Sequence, residues 1–399
     1  GYHESGIYLT VQPDLPELPS PADAVRMIDD VIADFPFQEA ADRANYYAFL
    51  LAPVVRDLIE GPTPAHLLEA QVHGTGKTLL AEIGFEISTG GRYEQTTPSH
   101  DEDELRKRIT SLLMGGAGAI MIDNLEEMVS STVASALTST KWSDRILGKS
   151  EIITIPNTVI YALSGNNPAL SGEIARRIVR IRLQANDDKP WERSGFRHPN
   201  IKTYVRQNRA ALQAGVISLV QSWIDAGEPD GPSVPFGSFE SYAKVIGGIL
   251  HHSGINGFME NRAALFEEAD TEGSAWRAFT AAWFEARGTA ESTTGDLFPI
   301  AIDTEGLVLD GKNERAQRIS LGTKLAKYRD RVFGSYRIKR AGKRSRATTW
   351  RLDRLTSESM YQNESPLTQL ESKNHSEQRP EDSPGYTGFT DNDETLDIF

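Results

Sequence analysis

The residues with the most definite chemistry lie in one run, Gln71-Val72-His73-Gly74-Thr75-Gly76-Lys77-Thr78. A polyphosphate is held by backbone N–H groups at close range, by a cation for its outer charge and, through a divalent ion, by a hydroxyl. Gly74 and Gly76 permit the close approach, Lys77 supplies the cation and Thr78 the hydroxyl. The stretch His73, Gly74, Thr75, Gly76, Lys77, Thr78 and Leu79 is therefore read as nucleotide-binding, with ATP and Mg2+ as the implied cofactors. The run departs from the GxxxxGK-Ser/Thr pattern because Gln71 stands at the first glycine position. The bland alternative is a glycine-rich turn with an incidental lysine.

Such a site needs an acid at the end of a buried strand to anchor the metal. Ala119-Ile120-Met121-Ile122-Asp123 supplies it, so Thr78 and Asp123 are the expected metal ligands; a strand-end turn residue is the alternative for Asp123. Asn124 follows directly. An amide orients water without accepting its proton, which predicts slow hydrolysis or replacement of the base by Glu126 or Glu127. A second apolar run, TVIYALS, ends in Asn166 and Asn167, which either hold the lytic water or form an Asn-Asn-Pro turn. Arg176 and Arg177 precede the strand-like IVRIRL and are candidates to neutralise transition-state charge on a neighbouring subunit's nucleotide; a solvated pair is the alternative.

These groups require strands that end together and helices that begin there. The opening segment to about Ser20 is Pro-rich and reads as extended, and Ser20-Pro21 reads as an N-cap with proline at the first helical position. The spacing then predicts helices near 21–34 and 38–60, and a strand at 66–70 running through the glycine turn into the helix TLLAEIGFEIS. Further strands are predicted at 92–96, 118–123, 152–155, 158–164 and 178–183, with helices near 101–113 and 130–140. This alternation favours an α/β fold with a parallel sheet. After a polar linker, 199–227, 237–253, 256–268 and 273–287 show helical spacing. From about Thr289 a helix, RAQRISLGTKLAKYRDRVF, is followed by two short strands around a basic turn, the order of a winged helix. No internal repeat is visible.

Composition narrows the function classes. At 399 residues two or three units are expected, and a mean hydropathy of -0.40 with no long apolar stretch excludes an integral membrane protein. Neither a basic n-region nor an apolar h-region opens the chain, so a cytoplasmic location is expected. Cysteine is absent, which removes disulfides, thiol nucleophiles and thiolate–zinc sites; eight scattered histidines form no ligand pair. Any metal should arrive with a substrate. The net charge of -14 argues against nucleic acid only if it is evenly spread. It is not: residues 312–354 carry 15 Lys and Arg against three acids, and residues 356–399 carry ten acids against two bases. The last segment cannot bury enough apolar surface to order itself and is expected to be disordered.

In this order and spacing the motifs resemble the AAA+ ATPase core: P-loop, magnesium aspartate, sensor asparagine and arginine finger. Most such ATPases have a glutamate where Asn124 stands. FPFQEAADRANYYAFLLAPVVRDL, Asp123-Asn124, SDRILGKSEIITIPN, SGNN and GEIARRIVRIRL together resemble replicative helicases of phages and mobile elements, related to the superfamily 3 and minichromosome-maintenance-like enzymes. The resemblance spans roughly residues 20–355 and implies an ATP-dependent DNA helicase, a hydrolase working in DNA replication as a homo-oligomeric ring, a hexamer. It also implies a channel hairpin, here SDRIL-GKS-EIITI, with Lys149 at its turn and Arg145 on its flank, gripping single-stranded DNA; an ordinary surface hairpin is the alternative. Lys244 would face the nucleotide from a helical lid, unless it is merely solvated.

The implied organisation is an N-terminal extended segment and helices (1–60), an AAA+ P-loop core (61–186), a linker and helical lid (187–288), a C-terminal winged-helix domain (289–355) and a disordered acidic tail (356–399). Within the winged helix, Arg315, Arg318, Lys324 and Lys327 on the helix and Lys339, Arg340, Lys343, Arg344 and Arg346 on the wing are expected to meet DNA phosphates. The final Leu396, Asp397, Ile398 and Phe399 resemble peptides that dock on a sliding clamp; an acidic terminus that only aids solubility is the alternative. A different class stays open as well, a nucleotide-gated initiator or helicase loader that hydrolyses slowly.

Overall fold

A computed structural model describes residues 16–146, 148–185, 187, 189–344 and 347–355. They form two compact units divided between Thr271 and Glu272.

The first unit begins with α1 (Pro21–Ile32), capped by the Ser20 side chain on the Asp23 N–H, and α2 (Ala40–Leu51). The expected helix 38–60 stops at Leu51 because Pro53 has no N–H for the next turn. There follow β1 (Ala65–Ala70), α3 (Lys77–Thr89), β2 (Glu94–Thr96), α4 (Glu102–Met114), β3 (Ala119–Met128) and α5 (Ser131–Thr138). Next come β4 (Lys141–Arg145), β5 (Ile152–Pro156), β6 (Ile160–Leu170), α6 (Gly172–Ala175), β7 (Ile178–Leu183), α7 (Ile201–Gln207), α8 (Arg209–Asp225), α9 (Glu240–His252) and α10 (Arg262–Ala269).

Five strands make one parallel sheet in the order β2-β3-β6-β1-β7. Side chains alternate across each strand, so Leu68 and Ala70 of β1 enter one core with α1, α2, α3, α8 and α9, while Ala65 and Leu67 enter another with α4, α5 and α6. Helices therefore cover both faces, which is why these strands read as continuous apolar runs. After β1 the chain crosses to the far edge, returns to insert β6 beside β1, and ends at the opposite edge with β7. Loops at the carboxyl ends of β1, β3 and β6 thereby converge on one crevice, where open α/β sheets bind ligands.

Outside this sheet, β4 and β5 form an antiparallel hairpin seated on α4. Trp142 Nε1 donates to Thr110 Oγ1 at 2.9 Å, Thr110 donates to Asp144, and Arg106 pairs with Asp144 at 3.2 Å while lying over the Trp142 ring. At its other end α4 is tied to α5, because the Glu102 carboxylate accepts from the Thr132 N–H at 2.9 Å.

The second unit contains α11 (Thr271–Arg287), β8 (Ser292–Thr293), α12 (Thr294–Asp303), α13 (Glu314–Lys327), β9 (Val332–Phe333), β10 (Tyr336–Arg344) and β11 (Ala347–Arg354). Its antiparallel sheet runs β8-β11-β10-β9. The helix expected at 273–287 as part of a lid belongs here instead: Trp276, Phe279 and Trp283 share a core with Leu297, Leu321, Ile338 and Trp350. The expected helix over 315–333 ends at Lys327, and Val332–Phe333 pairs with β10. The acidic segment 356–399 lies outside the described residues, as do Arg346 and the four C-terminal residues Leu396 to Phe399. Among the described residues no helix is long and apolar enough to cross a membrane.

Candidate functional site: the crevice at the carboxyl ends of β1, β3 and β6

The loop between β1 and α3 turns through two left-handed residues, Gly74 at φ 77° and Gly76 at φ 99°, a region that any Cβ penalises. Space is tight there too, so that a side chain would displace its neighbours. A Cβ on Gly74 would stand 3.0 Å from Trp191 Cβ, and one on Gly76 would stand 3.2 Å from Phe35 Cε1. Thr75 fixes the turn by donating to the Val72 carbonyl at 2.6 Å. Lys77 opens α3 at its positive dipole end, where an anion is favoured. No ion pair or hydrogen bond is recorded for the Lys77 ammonium among the described residues; burial holds its pKa below the ordinary lysine value, with the Asp123 charge acting the other way. Leu79, one residue past Thr78, packs partly buried against the core.

Asp123 lies where the β3–β6 ladder breaks: Ile122 pairs with Leu163, then Leu125 with Gly165, so Asp123 and Asn124 are looped out of register. Irregularities of this kind re-aim side chains at the rim of a sheet. The Asp123 carboxylate accepts from Thr78 Oγ1 at 3.4 Å, from Gln95 Nε2 at 3.1 Å, from the Asn124 N–H at 2.9 Å and from the Ser164 hydroxyl. Two oxygens on one edge of an octahedral magnesium shell stand about 2.9 Å apart, from metal–oxygen distances of about 2.0–2.1 Å. The Thr78–Asp123 pair is within about half an ångström of that. The chemistry of these donors, hydroxyl, carboxylate and ammonium around a glycine cradle, fits a polyphosphate with a hard divalent cation. Among the described residues no cluster of His, Asp and Glu forms a metal site of its own.

Asn124 has φ 64°. The left-handed region enriches Asn among non-glycine residues, which gives this asparagine a backbone reason for being there. Asn167, exposed on β6, is also left-handed at φ 42°. Asn166 reaches back to the loop, its Nδ2 2.9 Å from His73 Nδ1, so β6 and the phosphate loop touch directly. β6 itself runs on to Leu170, beyond the Asn-Asn-Pro where the sequence pattern ends it.

The other expected residues lie elsewhere. Arg176 and Arg177 precede β7, at the amino end of the sheet, separated from the loop by the six-residue length of β1, about 20 Å at ~3.3 Å per residue. Arg177 pairs with Glu173 at 3.3 Å, whereas Arg176 is exposed. Arg145 and Lys149 are exposed on the β4–β5 hairpin. Lys244 forms a surface pair with Asp230 at 3.5 Å. In the second unit, Lys324 pairs with Glu272 at 3.7 Å, Lys339 with Asp330 at 2.6 Å and Arg344 with Asp296 at 2.8 Å. Arg340 and Lys343 are exposed, with no ion pair recorded among the described residues.

Four residues of the site escaped the sequence reading. Ser164 and Gln95 hold Asp123 from two flanking strands, and Phe35 and Trp191 wall the loop. Only Ser164 had a signal, as a polar residue closing the apolar run TVIYALS. A partly buried ion network lies behind the loop: Glu69 of β1 accepts from Arg180 Nε at 2.6 Å and Arg182 Nε at 2.7 Å, both of β7, and the two arginines share the half-exposed Glu268 of α10.

No family profile and no curated protein matches the chain. Among solved structures, the apo A form of the NrS-1 C-terminal region is similar over 88% of this chain and 81% of that one, at 12% identity and a TM-score of 0.48. A second structure of the same region matches over 86% and 77%, at 12% identity and a TM-score of 0.45. JCV helicase bound to a small molecule matches over 60% and 64%, at 12% identity and a TM-score of 0.27.

Proposed function

We propose that the chain is an ATP-hydrolysing DNA translocase, a helicase acting as a ring in the replication of a phage or mobile element. The observation that carries this reading is the meeting of Lys77, Thr78 and Asp123 at the carboxyl ends of β1 and β3. In it, the Gly74–Gly76 backbone cradles the phosphates of ATP, Lys77 neutralises their outer charge, and Thr78 with Asp123 holds Mg2+. The ion, when bound, offsets charge developing on the transferred phosphoryl oxygens. Asn166 and Asn167 orient the attacking water from β6. Arg176 and Arg177 are too far from their own loop to act on it, which supports a role toward the nucleotide of a neighbouring copy in a homo-oligomer, a hexamer in this reading.

The exposed Arg145 and Lys149 would grip a single strand in the channel through its phosphates. The helix–strand–helix–helix–hairpin order of the second unit supports a winged helix. On its hairpin Arg340 and Lys343 are open to DNA, while Lys324, Lys339 and Arg344 would exchange their carboxylates for phosphates. Docking of a sliding clamp on Leu396 to Phe399 stays part of the proposal on sequence grounds alone.

A second reading, a nucleotide-gated initiator or loader, is favoured by Asn124: the residue directly after Asp123 is an amide, which cannot take the proton from water, and that role falls to Glu126 or Glu127 or goes unfilled. Turnover separates the two. Hydrolysis above roughly 1 per second, stimulated by single-stranded DNA, supports the motor, and hydrolysis below about one per minute with ATP-dependent assembly supports the switch. Absence of any ATP binding would refute both.

A further inference from the structure

Between β7 and α7 the chain returns over the phosphate loop. Its short turn Pro190–Glu192 places Trp191 against Gly74, close enough that a Cβ there would meet the indole Cε3 at 3.3 Å. The segment is pinned. Arg193 donates to the Asp34 carbonyl at 3.2 Å, the Arg197 N–H to the Asp34 carboxylate at 2.7 Å, and Arg197 and His198 both reach Asp30, at 2.8 and 2.7 Å. Asp30 lies in the last turn of α1, and Phe35, just past it, is the ring that faces Gly76. One anchor thus carries both aromatic walls of the loop.

Despite these ties Trp191 is 59% exposed, whereas Trp142, Trp223, Trp276, Trp283 and Trp350 are all buried. A pinned segment that holds its largest apolar side chain mostly in water, in contact with the phosphate cradle, leaves aromatic surface unmatched beside the loop. The chemistry that matches it is a nucleobase. With the phosphates in the cradle, the base leaves from the α-phosphate end and needs a planar apolar surface near the loop, not in it. We infer that Trp191 is the base platform of the nucleotide site, stacking on the base while Lys77 and the loop hold the triphosphate. This rests on the triphosphate reading of the loop and adds a contact that selects nucleotides over free polyphosphates.

The test uses the full chain and two probes, Mg·ATP and Mg·tripolyphosphate, titrated by calorimetry. Base–aromatic stacking of about 1–3 kcal/mol corresponds to about a 5- to 150-fold loss of ATP affinity in Trp191→Ala, with a clearly smaller loss of tripolyphosphate affinity, since the indole also walls the loop. Trp191→Phe, which keeps a π-face, should retain most of the ATP affinity. In the wild type ATP, but not tripolyphosphate, should quench the tryptophan emission, since Trp191 is the exposed indole. Equal losses for both probes, no loss for either, or a Phe variant as weak as Ala would overturn the platform while leaving the phosphate site intact. A wild-type protein that binds neither probe would refute the phosphate site itself.

Discussion

Replacing Lys77 by Met separates a ligand-binding cation from a structural one. Methionine keeps the length of the side chain and removes the charge. Lys77 is half-buried at the start of α3, has no recorded ion pair among the described residues, and has its pKa lowered by burial, so the fold gains little from the charge in the absence of an anion. Without nucleotide, Lys77→Met should therefore melt within about 2 °C of the wild type, or slightly above it. With ATP the balance reverses. A ligand at a hundred times its Kd stabilises by about 2.7 kcal/mol, and a unit of this size gains about 2–4 °C per kcal/mol, so the wild type should shift upward by about 5–11 °C. Losing charge-assisted bonds to phosphate costs about 3 kcal/mol, roughly a hundredfold in affinity, which cuts the shift at the same ATP concentration to about 1–2 °C. Differential scanning fluorimetry with and without Mg·ATP reads both numbers. A variant that keeps the full shift, or one that melts more than about 5 °C lower without nucleotide, would show that the ammonium is doing something other than holding phosphate.

Ser164→Ala removes a hydroxyl donor to the Asp123 carboxylate from the buried end of β6; by the usual effect of a group that orients a metal ligand, ATP turnover should fall about 10- to 100-fold with ATP affinity little changed, and unaltered turnover would show that Gln95 and Thr78 suffice. His66, fully buried between Phe49 and Tyr242, has its pKa pushed down to about 3 by burial, against about 6.5 in an unfolded chain. The unfolded state alone takes up its proton as pH falls below 6.5, so its contribution to stability is lost on acidification and fully gone by about pH 3. Between pH 6.5 and 4.5 the wild type should lose about 2 kcal/mol more than His66→Gln in urea titrations. Asp42, pushed up to about 6 by burial, acts in the opposite direction but is common to both proteins, and equal pH dependence would exclude His66 as the cause.

The parts legible in the sequence were those whose signal is local. Two glycines, a lysine and a threonine within five residues define a turn and a helix start, and an apolar run ending in Asp123 announces a strand whatever lies beside it. Ser164 and Gln95 become visible only when β6 and β2 flank β3, which is a fact of strand order. The helix at 271–287 shows the same limit: Trp276, Phe279 and Trp283 recur at helical spacing, but periodicity states that a face is buried, not in which core. α12 has no clear sequence signal because Pro299 sits inside it, where proline ordinarily argues against a helix. At Asn124 the sequence shows a missing base, and the left-handed backbone there supplies a second account that no spacing rule contains.

The seating of the β4–β5 hairpin has a mechanical consequence. Because Trp142 and Asp144 are locked to Thr110 and Arg106, a load on the hairpin tip is delivered to α4 before the strands can bend independently. The far end of that helix, through Glu102 and Leu105, lines the cleft that also contains Asp123 and Asn124, and Glu102 clamps α5. Side-chain contacts thus run without a break from the hairpin that carries Lys149, through α4, to α5 and to the cleft beside the acid of β3.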